Sequence, residues 1–331
     1  LSEKSLLIAR NLSKTFRVSE REAGLRAAVR GLFHPVFREV PAVEDLTFEI
    51  KAGEMVGLLG ANGAGKTTTL KLLSGLLQPT RGELEVAGFI PGKRQPAFLS
   101  QISMVLGNKS QMVWDIPALD TFHVLGEIYN IPPAQLRRTL DELIALLDMS
   151  DLLTRPVRNL SLGERMKCEL VAGLLHQPRL VFLDEPTLGL DVSVQARLRS
   201  FIAEYNRRCG ATILLTSHYM ADIVALCPHV ILLQDGRILY DGGLNSLAQR
   251  LAPFKLLQVT LSQPPNGALT HLPEGAEVVE QEGGQVTLRS ARESTPAVAT
   301  WLLNNLPVVD LSVQDPPVER VIDQIYQKGS L

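Results

Sequence analysis

The chain has 331 residues, 45% hydrophobic and 21% charged, with 33 Lys and Arg against 35 Asp and Glu. This composition excludes a disordered or collagen-like chain and a small disulfide scaffold, and the length suggests about two domains. The near-balanced charge argues against bulk binding to nucleic acid. No stretch approaches the ~18 uninterrupted apolar residues of a membrane span. The N-terminal Leu-Ser-Glu-Lys-Ser lacks the basic region and apolar core of a signal peptide. Cys168, Cys209 and Cys227 have no CxxC spacing and fit a reducing compartment.

In chain order, the first compact apolar run is Leu6–Ala9, read as a buried strand. The segment from Arg17 to Pro41 carries five arginines, Arg17, Arg21, Arg26, Arg30 and Arg38. Leu25, Val29, Leu32, Phe33 and Val36 there recur at helical spacing, which predicts a basic amphipathic helix up to Pro35. Two readings stand for it: a surface helix packed on a strand edge, or a contact with a membrane surface or membrane-embedded partner. Further strands are expected at Met55–Leu59, Leu180–Leu183, Ala211–Thr216 and Val230–Leu233, and helices at Lys66–Leu77, Gln135–Leu147, Gly163–His176 and Val192–Arg207. Such alternation predicts an α/β fold with a mainly parallel sheet.

After Gly242-Gly243 the texture changes, and eight of the 20 prolines lie beyond residue 250. The pattern there is a strand (Lys255–Leu261), a hairpin (Glu277–Glu280, turn at Gly283-Gly284, Gln285–Arg289), a helix (Pro296–Leu303), a strand (Val308–Val313) and a helix (Val318–Tyr326). This predicts a small α+β domain whose simplest role is dimer contact or stability.

The strand at Met55–Leu59 runs into Gly60-Ala-Asn-Gly-Ala-Gly-Lys-Thr67, a full GxxxxGK[ST] phosphate loop. Its backbone, from Gly60 through Asn62, Gly63, Ala64 and Gly65 to Thr68, is expected to wrap phosphates, because glycines permit close approach and positive φ. Lys66 should reach the β- and γ-phosphates and Thr67 should ligate Mg²⁺. Leu180–Leu183 ends in Asp184 and Glu185, where parallel sheets bind ligands. Asp184 is expected to hold Mg²⁺ through water, and Glu185 to act as general base on the attacking water. A lone His at a strand end is usually structural. Following the Ala211–Thr216 strand and in company with these motifs, His218 reads as a contact for the γ-phosphate and the water. Ser161 and Gly163, in Asn159-Leu-Ser-Leu-Gly163-Glu-Arg, introduce a helix whose N-terminus suits an anion.

GANGAGKT, LSLGER, LVFLDEP, Gly189-Leu-Asp191 and His218 together resemble the ATPase subunit of an ATP-binding cassette (ABC) transporter over about residues 1–245. The resemblance implies a P-loop NTPase cassette with a mixed sheet core and an α-helical subdomain at about 108–165. The basic insert at about 17–41 departs from it, and residues 246–331 form the accessory domain. It implies ATP and Mg²⁺ as ligands and head-to-tail pairing with a second nucleotide-binding subunit. Ser161 and Gly163 would then contact the γ-phosphate held by the partner's Lys66, and Asp191 would communicate across the pair. It also implies a separate transmembrane permease, and a peripheral location on the cytoplasmic face of a bacterial inner membrane.

Two departures stand out. The glutamine that senses Mg²⁺ and the permease falls at Asn108, with Gln111 three residues later, so either residue could serve. The signature is LSLGER rather than LSGGQ, keeping the Ser and second Gly but not the final Gln. Phe16, in Leu12-Ser-Lys-Thr-Phe16, resembles the aromatic that stacks on adenine, against the alternative of a core Phe. The insert, Gly107–Phe122, LSLGERMKCEL, TSHYMADI and the Asp315-Pro-Pro-Val-Glu tail resemble bacterial viologen- and daunorubicin-type multidrug exporters. The alternatives are the ATPase of an importer with a regulatory C-terminal domain, or a non-transport ABC ATPase.

Overall fold

The computed structural model describes residues 5–20, 36–107, 109–251, 253–265, 269 and 272–316. The chain divides into two compact units, residues 1–243 and 244–331.

The first unit holds two sheets. In one, strands β1 (Ser5–Glu20), β2 (Val36–Lys51) and β4 (Arg81–Val86) pair antiparallel in the order β2-β1-β4. In the other, β3 (Met55–Leu59), β5 (Ile102–Leu106), β6 (Leu180–Asp184), β7 (Thr212–Thr216), β8 (His229–Gln234) and β9 (Arg237–Gly243) run in the order β5-β6-β7-β3-β8-β9. All neighbours there are parallel except the β8–β9 pair. This is the mixed sheet that the motifs implied. The apolar runs at β3, β6, β7 and β8 are buried because helices cover a parallel sheet on both faces.

Helix α1 (Lys66–Leu73) follows the phosphate loop, and α2 (Pro96–Leu99) is a single turn. The inner faces of both sheets close over α1, joining Leu7, Leu46, Ile50, Leu58, Leu70, Phe182 and Ile231 in one core. Between β5 and β6 the chain forms α3 (Ala118–Ile128), α4 (Pro133–Leu147) and α5 (Leu162–Leu174), and α6 (Val192–Cys209) and α7 (Met220–Leu226) come later.

Helix α1 is shorter than expected because Gly75 stands at φ +72°, where a Cβ would lie 2.3 Å from the Pro91 carbonyl oxygen. In the Arg17–Pro41 segment, the helix expected from Leu25 up to Pro35 lies outside the described residues. Its flanks are strand, with Arg17 opposite Glu39 and Val18 opposite Arg38, because the β1–β2 ladder continues through them. The Arg17 and Glu39 side chains pair at 3.5 Å. Arg21, Arg26 and Arg30 lie outside the described residues.

The second unit begins with α8 (Leu244–Leu251). Strands β10 (Phe254–Leu261), β11 (Ala276–Glu282), β12 (Gln285–Ala291) and β13 (Val308–Gln314) form an antiparallel sheet in the order β11-β12-β10-β13. Alternation puts Leu257, Val259, Leu261, Val286 and Leu288 on one face, where Val298, Leu302 and Leu306 of α9 (Thr295–Asn305) and its end cover them. The helix expected at Val318–Tyr326 lies outside the described residues. Leu288 is fully buried in this core, so Leu288→Ala should cost the second unit about 2–5 kcal/mol. Calorimetry should show its transition shifted down while ATP still stabilises the first unit; loss of that ATP effect would contradict independent cores.

Candidate nucleotide-binding site

The site forms where the parallel strands β3, β6 and β7 end together. Strand β3 delivers Gly60, whose φ of +152° and a Cβ position only 2.6 Å from the Leu233 carbonyl oxygen leave no room for a side chain. Gly65, at φ +102°, caps α1 and lies against the Ala42 carbonyl. The loop between them opens on a cavity of about 260 Å³ lined by Asn62, Lys66, Thr67, Asp184, Glu185 and His218 among others.

Lys66 is buried and folds back on its own loop, donating to the carbonyls of Gly60 (2.6 Å) and Ala61 (3.2 Å). Burial pushes its pKa below the usual lysine range, and the charges of Glu185 and Asp184 oppose that shift. A polyphosphate would supply the anionic partner that these carbonyls replace.

Asp184 ends β6 and is held from two sides. The Thr67 hydroxyl donates to its carboxylate at 3.2 Å and the Thr216 hydroxyl at 2.7 Å. Thr216 is in register with Asp184 across the β6–β7 ladder. It also accepts from the Glu185 N–H on its hydroxyl, at 3.1 Å. Glu185 stands at φ +56°, an uncommon left-handed conformation for a non-glycine residue and one often found at working sites. Its carboxylate accepts from the His218 N–H at 2.9 Å and lies 3.4 Å from His218 Nε2. Burial raises its pKa, against the lowering effect of the His218 hydrogen bond. Gly107 donates to the Asp184 carbonyl at 2.8 Å, and a Cβ there would meet the Glu185 carbonyl oxygen at 2.3 Å.

Sequence reading missed a buried support. Asp222, fully buried, accepts from Thr187, from Ser217 at 2.7 Å and from Arg199 at 2.8 Å. It thereby ties the segment before His218 to the loop after Glu185 and to α6. The available signal was the acid four residues after a His at a strand end. Thr216 and Gly107 were equally silent, because a Thr ending an apolar run and a Gly after a strand look like ordinary boundaries.

Ser161, Gly163 and Asp191 do not line this cavity. Ser161 caps α5, accepting from the Glu164 N–H on its hydroxyl at 3.3 Å, and is exposed. Asp191 caps α6, accepting from Val194 N–H (2.9 Å) and the Ser193 hydroxyl (2.7 Å). Gly163 and Val194 bring these caps together, since a Cβ on Gly163 would lie 3.1 Å from the Val194 side chain. Phe16 is half-buried on β1 opposite Val40, under Lys14 Nζ at 5.4 Å, and is not among the cavity's lining residues. Ala42, two residues beyond Val40, does line it. Gln111 is held elsewhere: its N–H donates to Glu169 Oε2 (3.1 Å), its amide donates to the Glu169 carbonyl (3.3 Å), and it lines a separate cavity. Asn108 lies outside the described residues.

The sequence profile of the ABC transporter family matches residues 43–188, and that of the EvrA-like ABC transporter C-terminal domain matches residues 253–314. The chain belongs to the ABC transporter ATP-binding family and is an ATPase of the cassette type. It is similar to the ABC transporter ATP-binding protein NatA of Bacillus subtilis (35% identity, covering 63% of this chain and 84% of NatA). It is also similar to the doxorubicin resistance ATP-binding protein DrrA of Mycobacterium tuberculosis (31%, covering 64% and 63%). A solved ATP-binding subunit of an ABC transporter superposes with a TM-score of 0.61 (26% identity, covering 74% and 93%).

Thr216→Val removes one hydroxyl that serves both carboxylate-bearing residues. It should lower ATP turnover about 10- to 100-fold, with ATP still bound. A steady-state assay beside nucleotide titration checks this; unchanged turnover would deny Thr216 a part in the site.

Proposed function

We propose that this chain is the ATP-hydrolysing subunit of an exporter, pairing head to tail with a second nucleotide-binding subunit and driving a separate permease at the cytoplasmic face of the membrane. The observation that carries this reading is the split between two groups. Lys66, Thr67, Asp184, Glu185 and His218 share one cavity, whereas Ser161 and Asp191 face solvent outside it. A second subunit presenting its Ser161 would complete the shell around the γ-phosphate. The likeness to a doxorubicin resistance protein supports export. Among the described residues no helix is long and apolar enough to cross a membrane.

The residues present fit Mg²⁺. Among the described residues no group of three or more His, Cys, Asp or Glu is placed to hold a metal ion by itself, but Mg²⁺ keeps waters and needs only one or two carboxylates beside substrate phosphates. Thr67 and Asp184 would hold it, and its charge would offset that of the phosphates. Lys66 leaves the Gly60 and Ala61 carbonyls for the β- and γ-phosphates, and Phe16 serves the adenine. Glu185 accepts the proton of the attacking water. His218 holds the Glu185 carboxylate from below and contacts the γ-phosphate. Catalysis consists mostly of such positioning and charge stabilisation. Asn108 stands as the sensor of Mg²⁺ and permease, since Gln111 is engaged with Glu169.

Glu185→Gln should bind ATP, form an ATP-dependent dimer in sedimentation, and hydrolyse about 100-fold slower or worse. Near-normal hydrolysis would overturn the base assignment, and a monomer at saturating ATP would overturn the paired site. Because burial raises the Glu185 pKa, the carboxylate is protonated, and turnover lost, as pH falls through a value above the ordinary glutamate range near ~4.3. The acid limb of the pH–rate profile should lie above that value; a limb at or below it would contradict the assignment.

A further inference from the structure

The signature segment carries an acid where the ABC pattern has an amide. Glu164 sits in the first turn of α5, and its Oε2 accepts from the Ser161 N–H at 2.7 Å while its own N–H donates to Ser161 Oγ. This reciprocal capping box fixes the Ser161 side chain. It also places a full negative charge on the very helix end that, in the paired site proposed above, receives a nucleotide's terminal phosphate. Hydrogen bonding from Ser161 and the charge of Arg155 hold the Glu164 carboxyl below the usual glutamate range, so the charge persists at working pH.

Among the described residues, Arg155 is the ion-pair partner that answers it, with Lys167 adding a more distant positive charge. Arg155 Nη1 lies 3.0 Å from Glu164 Oε1, and Nη2 donates to the Asn159 carbonyl at 3.0 Å. The guanidinium thus clamps both ends of the Asn159–Glu164 segment. The other nearby arginines are committed elsewhere. Arg158 pairs with Asp115 at 2.8 Å, and Arg165 lies over the Trp114 ring at 5.3 Å. The Arg155 and Glu164 side chains are 44% and 29% exposed, so the pair lies at a surface that another subunit can reach.

We propose that Arg155 is a positioning residue of the composite nucleotide site: it neutralises Glu164 and holds the Ser161 cap, so that a signature bearing an acid can still receive the γ-phosphate held by the opposite subunit. The inference rests on the two-subunit reading above. It differs from a plain structural role for Arg155 in one respect. If neutralisation is the point, removing the acid should make the cation dispensable. If Arg155 merely braces the Asn159 carbonyl, it should not.

The test uses the full chain in the Glu185→Gln background, measuring by sedimentation the ATP concentration at which half the protein is dimeric. Arg155→Ala should raise that concentration about ten-fold or more. Arg155→Ala/Glu164→Gln should return it to within about three-fold of the parent, because Gln still accepts from the Ser161 N–H without bearing charge. Arg155→Lys, which keeps the charge, should also stay within about three-fold. The Arg155→Ala defect should shrink in high salt, as screening weakens the repulsion. An unchanged midpoint in Arg155→Ala, or a defect that Glu164→Gln fails to relieve, would overturn the inference and leave the paired site standing. A parent that stays monomeric with ATP would overturn the paired site and this inference with it. If Arg155→Ala lowers thermal stability, Arg155→Gln offers the same comparison with a hydrogen-bonding side chain retained.

Discussion

The structure turns on how like and unlike charges are kept together at the ends of three parallel strands. Asp184 and Glu185 are adjacent and partly or largely withdrawn from water, with Lys66 nearby. Such groups are costly to bury unless each is partnered. The partners come from the sheet itself. The β6–β7 register sets Thr216 beside Asp184, and the backbone N–H of His218 donates to the Glu185 carboxylate. The left-handed backbone at Glu185 is the local strain this arrangement sustains, and Gly107 is required because any side chain there would strike the Glu185 carbonyl.

A second buried charge extends that constraint outward. Asp222 gathers Thr187, Ser217 and Arg199, so it ties the loop after Glu185, the segment before His218 and α6 together. Asp191 caps that same α6, and the Gly163–Val194 approach joins it to α5 and Ser161. A chain of contacts therefore runs from the cavity that holds Glu185 and His218 to the exposed caps at Asp191 and Ser161.

Much of this was legible in the sequence, for identifiable reasons. The phosphate loop, Asp184-Glu185 and His218 are readable because apolar runs of strand length end in residues that such runs do not tolerate without use. The compact β3, β6, β7 and β8 stood out for the same reason. Strands β2, β4 and β9 did not, since they are amphipathic and bury one face only. Within Arg17–Pro41, the flanks Arg17-Val18 and Phe37-Arg38-Glu39-Val40 follow the ladder of β1 and β2, a pairing of two distant stretches that no local spacing encodes. Thr216 and Gly107 escaped notice because their roles come from strand register and close approach, which no local pattern encodes. The engagement of Gln111 by Glu169 of α5 is likewise a tertiary contact that no local pattern encodes.

The central claim is that one nucleotide touches the phosphate loop of one subunit and Ser161 of another. Orthovanadate trapped with Mg²⁺ and ADP occupies the γ-phosphate position, and ultraviolet irradiation then breaks the backbone beside it. Mapping the fragments by mass spectrometry tests the claim most directly. The account predicts breaks both within residues 60–67 and at Ser161. Breaks confined to residues 60–67 would contradict it and leave the cassette working as a single, unpaired site.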